Sequence, residues 1–288
     1  MTPEAFRALA VMCEPPGEST ATIAEALGLP RAPTPEEYTD LFVMQLSPYA
    51  SIYLGAEGML GGEARDRVAG FWRALGITPP TDADHLAALL GLYATLCDAL
   101  VAERETVRAQ RDHARRALLW EHLLSWVPPY LRRVREVGPP PYQAWATVLE
   151  STLDTTVGQW DRGTVGRDLP LHLREARDLP QPDTETLDHT LASLLSPVRA
   201  GFILTKHDLT VMARQLGIGL RQGERKFILR ALVDQDPAAV FQWLEGETRR
   251  QRQPGSDAIS RFWNARNQRT EHLLHTMRRS VEEASADA

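Results

Sequence analysis

The stretch from Leu86 to Leu100 constrains this chain most. Leu86, Leu89, Leu90, Tyr93, Leu96, Cys97 and Leu100 step by three and four, the spacing that builds one apolar helix face. Thr81-Asp82-Ala83-Asp84 ahead of it resembles a helix cap. Such a face must be covered, and the rest of the sequence offers almost only further helices. Thr34-Pro35-Glu36-Glu37 joins an N-cap, a proline at the first helical position and a capping-box glutamate, and Ser47-Pro48 ends what starts there. Val68, Phe71, Trp72 and Leu75 keep the helical period before Gly76. The pattern resumes at Ala114 and runs through Leu118, Leu119, Leu123 and Trp126 until Pro128-Pro129 is expected to break it. A helix is predicted from about Tyr142 to Val157, and others near 184–195, 206–216, 223–233, 237–250 and 256–279. Residues 158–182 read as a loop or linker, and Glu282–Ala288 as a disordered end. Only Phe202-Ile203-Leu204 could pass for a strand, and it is too short to matter. The expected fold class is all-α.

The 288 residues suffice for a substantial core, and a hydrophobic fraction of 43% with 24% charged residues is that of a soluble globular protein. No apolar run approaches the roughly 18 residues of a membrane-spanning helix, and Met1–Glu14 lacks the pattern of a secretory signal. A cytoplasmic location is therefore expected. The net charge of −6 is unevenly spread. Glu14, Glu18, Glu25, Glu36, Glu37, Asp40, Glu57, Asp82 and Asp84 make the first hundred residues acidic, whereas 104–116 and 221–230 are basic. Cys13 and Cys97 sit in no metal-ligand spacing, and Cys97 on the apolar stripe is expected to be a buried thiol.

Four glycines, Gly55, Gly58, Gly61 and Gly62, follow Pro48-Tyr49-Ala50-Ser51-Ile52-Tyr53. No Lys-Ser/Thr follows them and no strand precedes them, so tight turns between helices explain them better than a phosphate loop. Asp84-His85 and Glu121-His122 are adjacent acid–histidine pairs. Neighbours on a helix point about 100° apart, so neither pair converges on a metal unaided. No metal or cofactor is expected, and a metal-dependent hydrolase is the weaker alternative. No nucleophile elbow surrounds Ser51. A second alternative lies in 204–232, where Ala213 and Gly217 mimic a helix-turn-helix contact pair followed by Arg221, Arg225, Lys226 and Arg230. Those cations would suit phosphates. Leu220, Phe227, Ile228 and Leu232, however, point to a largely buried helix and favour a plain helical hairpin.

Several motifs follow one another in order. Tyr38-Thr39-Asp40-Leu41-Phe42 gives Tyr-x-x-Leu-Phe, and Pro48 to Tyr53 gives Pro-Tyr-x-Ser-x-Tyr. Asp84-His85-Leu86 opens the long helix, and Glu121-His122-Leu123 with Trp126 gives His-Leu-x-x-Trp. Over about residues 34–157 the chain resembles the TorD/DmsD family of cytoplasmic redox-enzyme maturation chaperones, to which the NarJ type is related. The resemblance implies a TorD-like helical bundle without catalytic activity, which binds the precursor of a molybdopterin-dependent oxidoreductase, often by a twin-arginine leader. It also implies that Asp84-His85 takes part in leader binding, although Thr81 and Asp82 stand where the family has Glu and Pro. The expected organisation is an N-terminal helical segment over 1–33, the chaperone core over 34–157 with a hinge near 76–85, the linker 158–182 and a C-terminal helical extension over 183–288. A leader's guanidinium groups call for carboxylates, and its apolar stretch for a greasy groove. The candidate binding residues are therefore Tyr49, Ser51, Tyr53, Trp72, Asp84, His85, Glu121, His122 and Trp126, with Asp84 as the main charge partner and His85 positioning it or sensing pH. Tyr49, Tyr53 and Trp72 fit core as well as groove, since periodicity does not separate the two. The break near 76–83 could also let two protomers exchange a helical hairpin, giving a homodimer.

Overall fold

The capping box at Thr34 forms as the sequence dictates: the Thr34 hydroxyl accepts from Glu37 N–H at 3.3 Å, and the Glu37 carboxylate accepts from Thr34 N–H at 2.9 Å. Cap chemistry of this kind recurs along the chain. The computed structural model describes residues 2–102, 105–160, 169–180 and 186–286. Among these the fold is all-α, without a strand. Residues 161–168 and 181–182 of the expected loop, Arg104 of the first basic run, and the last two residues lie outside the described residues.

The chain divides into two compact units. The first comprises residues 1–51 and 60–174. Its centre is the Leu86–Ala102 helix, whose Leu86, Leu89, Leu90, Tyr93 and Leu96 are at most 1% exposed. Each such side chain contributes roughly 1.5–3 kcal/mol on leaving water. The Pro3–Val11 helix packs along it, with Phe6 against Tyr93 at 4.4 Å between ring centroids. The Val127–Val137 and Pro140–Gly158 helices pack on each other. Phe42 meets Tyr142 and Trp145, whose indole N–H donates to Leu9 C=O at 3.1 Å.

Several expectations need correction. Pro128 and Pro129 do not end a helix but sit in the first turn of Val127–Val137, where a missing N–H costs nothing. Two helical stretches, Thr39–Gln45 and Leu118–Leu123, are wound as π-helix. There Leu46 and Leu124 N–H reach back five residues to Leu41 and Leu119 C=O, a one-residue excess that sequence periodicity does not announce. Cys97 is only half-buried, beside Tyr93 and Arg115, whereas Cys13 is the fully buried thiol.

The second unit comprises residues 52–59 and 175–288. Leu191, Leu194, Phe202, Leu209, Met212, Leu229, Leu232, Phe241 and Leu244 fill its core. Pro237–Arg250 lies along the long Ala258–Ala286 helix, which continues through residues 282–286 where disorder was expected. Phe202–Leu204 is buried but forms no strand; the Gln251 amide satisfies both Ile203 N–H (2.8 Å) and Ile203 C=O (3.0 Å) in place of a neighbouring strand. Gly58 supplies one of the expected tight turns, at φ +60, with Leu195 C=O where a side chain would stand. In 204–232, Gly217 closes the first helix in the left-handed conformation, but the next starts only after Glu224. That connection is longer than the turn of about 3–4 residues in a helix-turn-helix. Arg225 turns inward to Leu204 C=O, and Arg230 is held by Asp188 and Asp234. Leu220 and Phe227, expected inside, are exposed, while Ile228 and Leu232 are buried.

Candidate functional site

Two distant segments of the first unit meet at the Asp84-His85 turn. Tyr49 and His85 face each other as an isolated antiparallel bridge, with Ala50 N–H on Asp84 C=O (3.0 Å) and Leu86 N–H on Pro48 C=O (2.8 Å). The two side chains of the pair then do parallel jobs. The Asp84 carboxylate accepts from Ser51 N–H at 2.9 Å, within the first turn of the Ala50–Leu54 helix. His85 Nδ1 accepts from Ala87 N–H at 3.2 Å, within the first turn of Leu86–Ala102. Each residue caps a different helix. The Gly62–Ala74 helix braces the turn from behind, through Trp72 Nε1 to Ala83 C=O (3.2 Å) and Arg65 to Thr81 C=O (2.8 Å).

In front of the turn lies a groove of about 680 Å³. Tyr38, Tyr49 and His85 form its polar and aromatic walls, with Glu14 and Asp82 at its edge and Ala10, Val11 and Pro80 among its apolar surfaces. The Tyr49 ring stands edge-on to His85 at 4.7 Å. Among the described residues no lysine or arginine lines the groove. Burial, then Asp82, Asp84 and Glu14, push the Tyr49 hydroxyl pKa up, and burial followed by Glu14 does the same for Tyr38. Burial also pulls the His85 pKa below 6.5, outweighing Glu14, Asp82 and Asp84, so the ring is neutral at pH 7. Its acceptor role at Nδ1 then places the proton on Nε2.

Of the nine residues singled out in the sequence, Tyr49 and His85 line this groove. Asp84, Ser51 and Trp72 are buried behind it and build the turn; Ser51 Oγ accepts from Gly61 N–H at 3.1 Å. Tyr53 is buried in the second unit. Glu121, His122 and Trp126 belong to another cluster of the first unit. Glu121 accepts from Leu171 N–H (2.6 Å), His122 Nδ1 lies 3.4 Å from His172 Nε2, and Trp126 donates to His122 C=O (2.8 Å). Both histidines are buried, His122 also against Phe71. Burial, with Arg67 beside it, pulls His122 down to about 4; burial, then His122 and Arg67, pulls His172 to about 3. Among the described residues no three His, Cys, Asp or Glu side chains are grouped so as to hold a metal. Sequence reasoning missed Tyr38, Glu14 and Asp82 as groove residues, noticing Asp82 as part of a cap, as one of the acids of the first hundred residues and as a departure from the family pattern.

The first unit is thus all-α and presents an open acidic and aromatic groove. Residues 12–132 match the model of the family described as nitrate reductase delta subunit. A protein named chaperone protein TorD from Vibrio vulnificus strain YJ016 is 31% identical over 111 residues, which cover 35% of this chain and 51% of that protein. A protein of the same name from strain CMCP6 is 29% identical over 109 residues, with the same shares. The chain thus spans about half the length of the curated relatives it matches. Over residues 12–132 it is thus similar to the TorD/NarJ-related family. Among the described residues no helix is long and apolar enough to cross a membrane.

Proposed function

We propose that this chain is a chaperone that binds the leader or the apoprotein of a molybdopterin-dependent oxidoreductase and holds it before cofactor insertion or export. The groove beside Asp84-His85 carries the reading: it is open, aromatic, edged by carboxylates and, among the described residues, lined by no lysine or arginine. Such a surface suits an extended segment bearing arginines and apolar side chains, because guanidinium groups prefer carboxylate partners and apolar flanks gain from leaving water. The family of residues 12–132 and the chaperone names of the two relatives support the same reading. It assigns the chain no catalytic step, and it places the protein's work in the cytoplasm, where the precursor is still unfolded or empty.

Co-expression with a molybdopterin oxidoreductase precursor tests it. The expected result is a higher fraction of precursor loaded with cofactor, measured as molybdenum per polypeptide, and recovery of the complex on affinity purification. Equal loading with and without this chain, and no complex, would overturn the reading.

A further inference from the structure

We propose that the connection between the Lys206–Leu216 and Arg225–Val233 helices docks on an anionic lipid bilayer. Leu220 and Phe227 enter the interface, and Arg221 and Lys226 meet the headgroup phosphates. The patch belongs to the second unit and lies outside residues 12–132, which match the family model.

Leu220 is 44% exposed and Phe227 53%, and the fold holds both where they are. Gly219 N–H donates to the Gln235 side-chain oxygen at 2.7 Å, and the Gln235 amide donates to Gly219 C=O at 2.8 Å. The backbone beside Leu220 is thereby clamped just past the end of the Arg225–Val233 helix. The Phe227 ring rests on Gly223, where a Cβ would stand 3.0 Å from it. Charge then identifies the partner. Arg221 follows Leu220 and Lys226 precedes Phe227, so each exposed apolar side chain has an exposed cation as its chain neighbour. Exposed Arg214 adds a third in the last turn of the preceding helix. Among the described residues these three pair with no acid, whereas Arg230, Arg249, Arg250, Arg266 and Arg278 of the same unit all do. Within the connection itself only Glu224 opposes them.

A patch both basic and apolar calls for a partner both anionic and apolar. A protein partner would have to cover about 800 Å² to bind stably, far more than two side chains offer. A fluid bilayer moulds itself around whatever enters it. Nucleic acid binds through many phosphate contacts, and the other cations of this stretch are engaged: Arg225 by Leu204 C=O, Arg230 by Asp188 and Asp234. At a bilayer surface the phenyl and isobutyl groups leave water, while the arginine and lysine stems reach back to the phosphates. The net charge of −6 opposes approach to an anionic surface. At physiological salt, however, exposed charges beyond about 8 Å are largely screened, so the cations at the point of contact decide.

The test floats the full chain with vesicles of equal parts phosphatidylglycerol and phosphatidylcholine, and separately with vesicles of phosphatidylcholine alone. Partitioning onto the mixed vesicles is expected, with little onto the neutral ones and a marked fall at high salt. Phe227→Ser should lower partitioning about tenfold or more, and Arg221→Gln and Lys226→Gln about fivefold each. None of the three should shift the melting temperature, because all three side chains are exposed. Should Phe227→Ser melt lower through its contact with Gly223, the combined Arg221→Gln, Lys226→Gln variant keeps the test decisive. Failure of the unaltered chain to float with mixed vesicles, or equal flotation of that double variant, would overturn the inference. So would equal binding to neutral vesicles, binding of single-stranded RNA in place of vesicles, or a Phe227-dependent dimer that does not float.

Discussion

The two units contain similar polar residues and use them differently. In the second unit buried Glu245 is matched by Arg249 and Arg278, buried Glu247 by Arg250, and the half-covered Glu271 by Arg249 and Arg252, while buried Asp208 serves a capping box at Thr205. Buried Arg266 answers to Asp178 and to the carbonyls of Ala176 and Arg177. These groups are consumed internally, so a charged partner gains little by approaching them. In the first unit the groove acids Glu14 and Asp82 lack such matches, while the buried polar groups beside them, Asp84 and Ser51, go into capping and turn contacts. Self-satisfied ion pairs fix a scaffold. Unmatched carboxylates at a groove leave something for a partner to satisfy.

The largest test of this contrast concerns backbone fit. Gly201 in the second unit has φ +73, and a Cβ there would stand 2.2 Å from Asn267 N, against backbone that cannot swing away. Gly201→Ala should therefore destabilise the second unit by about 3 kcal/mol or more. Gly62 in the first unit has φ +68 but nothing within 4 Å, so Gly62→Ala should cost only the left-handed penalty of about 1 kcal/mol. Urea unfolding of both variants checks the ranking; equal losses would mean the tight packing at Gly201 relaxes freely.

A somewhat smaller effect is expected from acid. His122 and His172 are held neutral with depressed pKa values, so between pH 6.5 and about 4 the unfolded chain takes up protons that the folded chain refuses. Stability is then fully present above pH 6.5 and falls as the pH drops toward 4, by on the order of 3 kcal/mol for His122 alone. The pair titrates as a unit, so the two contributions do not simply add. His172→Phe should flatten this acid limb, as read from melting temperature against pH. An unaltered slope would move the acid sensitivity out of the first unit's interior and into its carboxylates.

The helices and several caps of this fold were legible because they are local. Thr34 with Glu37 and the Leu86–Leu96 stripe are read within one or two turns of chain. Pro128-Pro129 was misread because a proline pair stops one helix and starts the next equally well, and only the packing of Tyr130 and Leu131 decides. At the site, Tyr49 and His85 stood out by motif. Trp72 and Tyr53 had the same aromatic character, yet face inward, since a repeat every three or four residues marks burial without saying in which cavity. Glu14 carried no signal. It is one acid among many at the end of a short helix, and it joins Asp82 only because Pro3–Val11 packs against Leu86–Ala102.

The smallest effect separates the role of Asp84 from that of its neighbours. Asp84→Ala would leave Ser51 N–H buried and without an acceptor, at a cost of about 1–2 kcal/mol. Asp84→Asn keeps a carbonyl oxygen at the same reach and should recover most of that loss. Chemical denaturation with an unchanged slope should show the ordering wild type, then Asn, then Ala. If Asn proves as damaging as Ala, the negative charge itself is required at the turn, and Asp84 is more than a hydrogen-bond acceptor for Ser51 N–H.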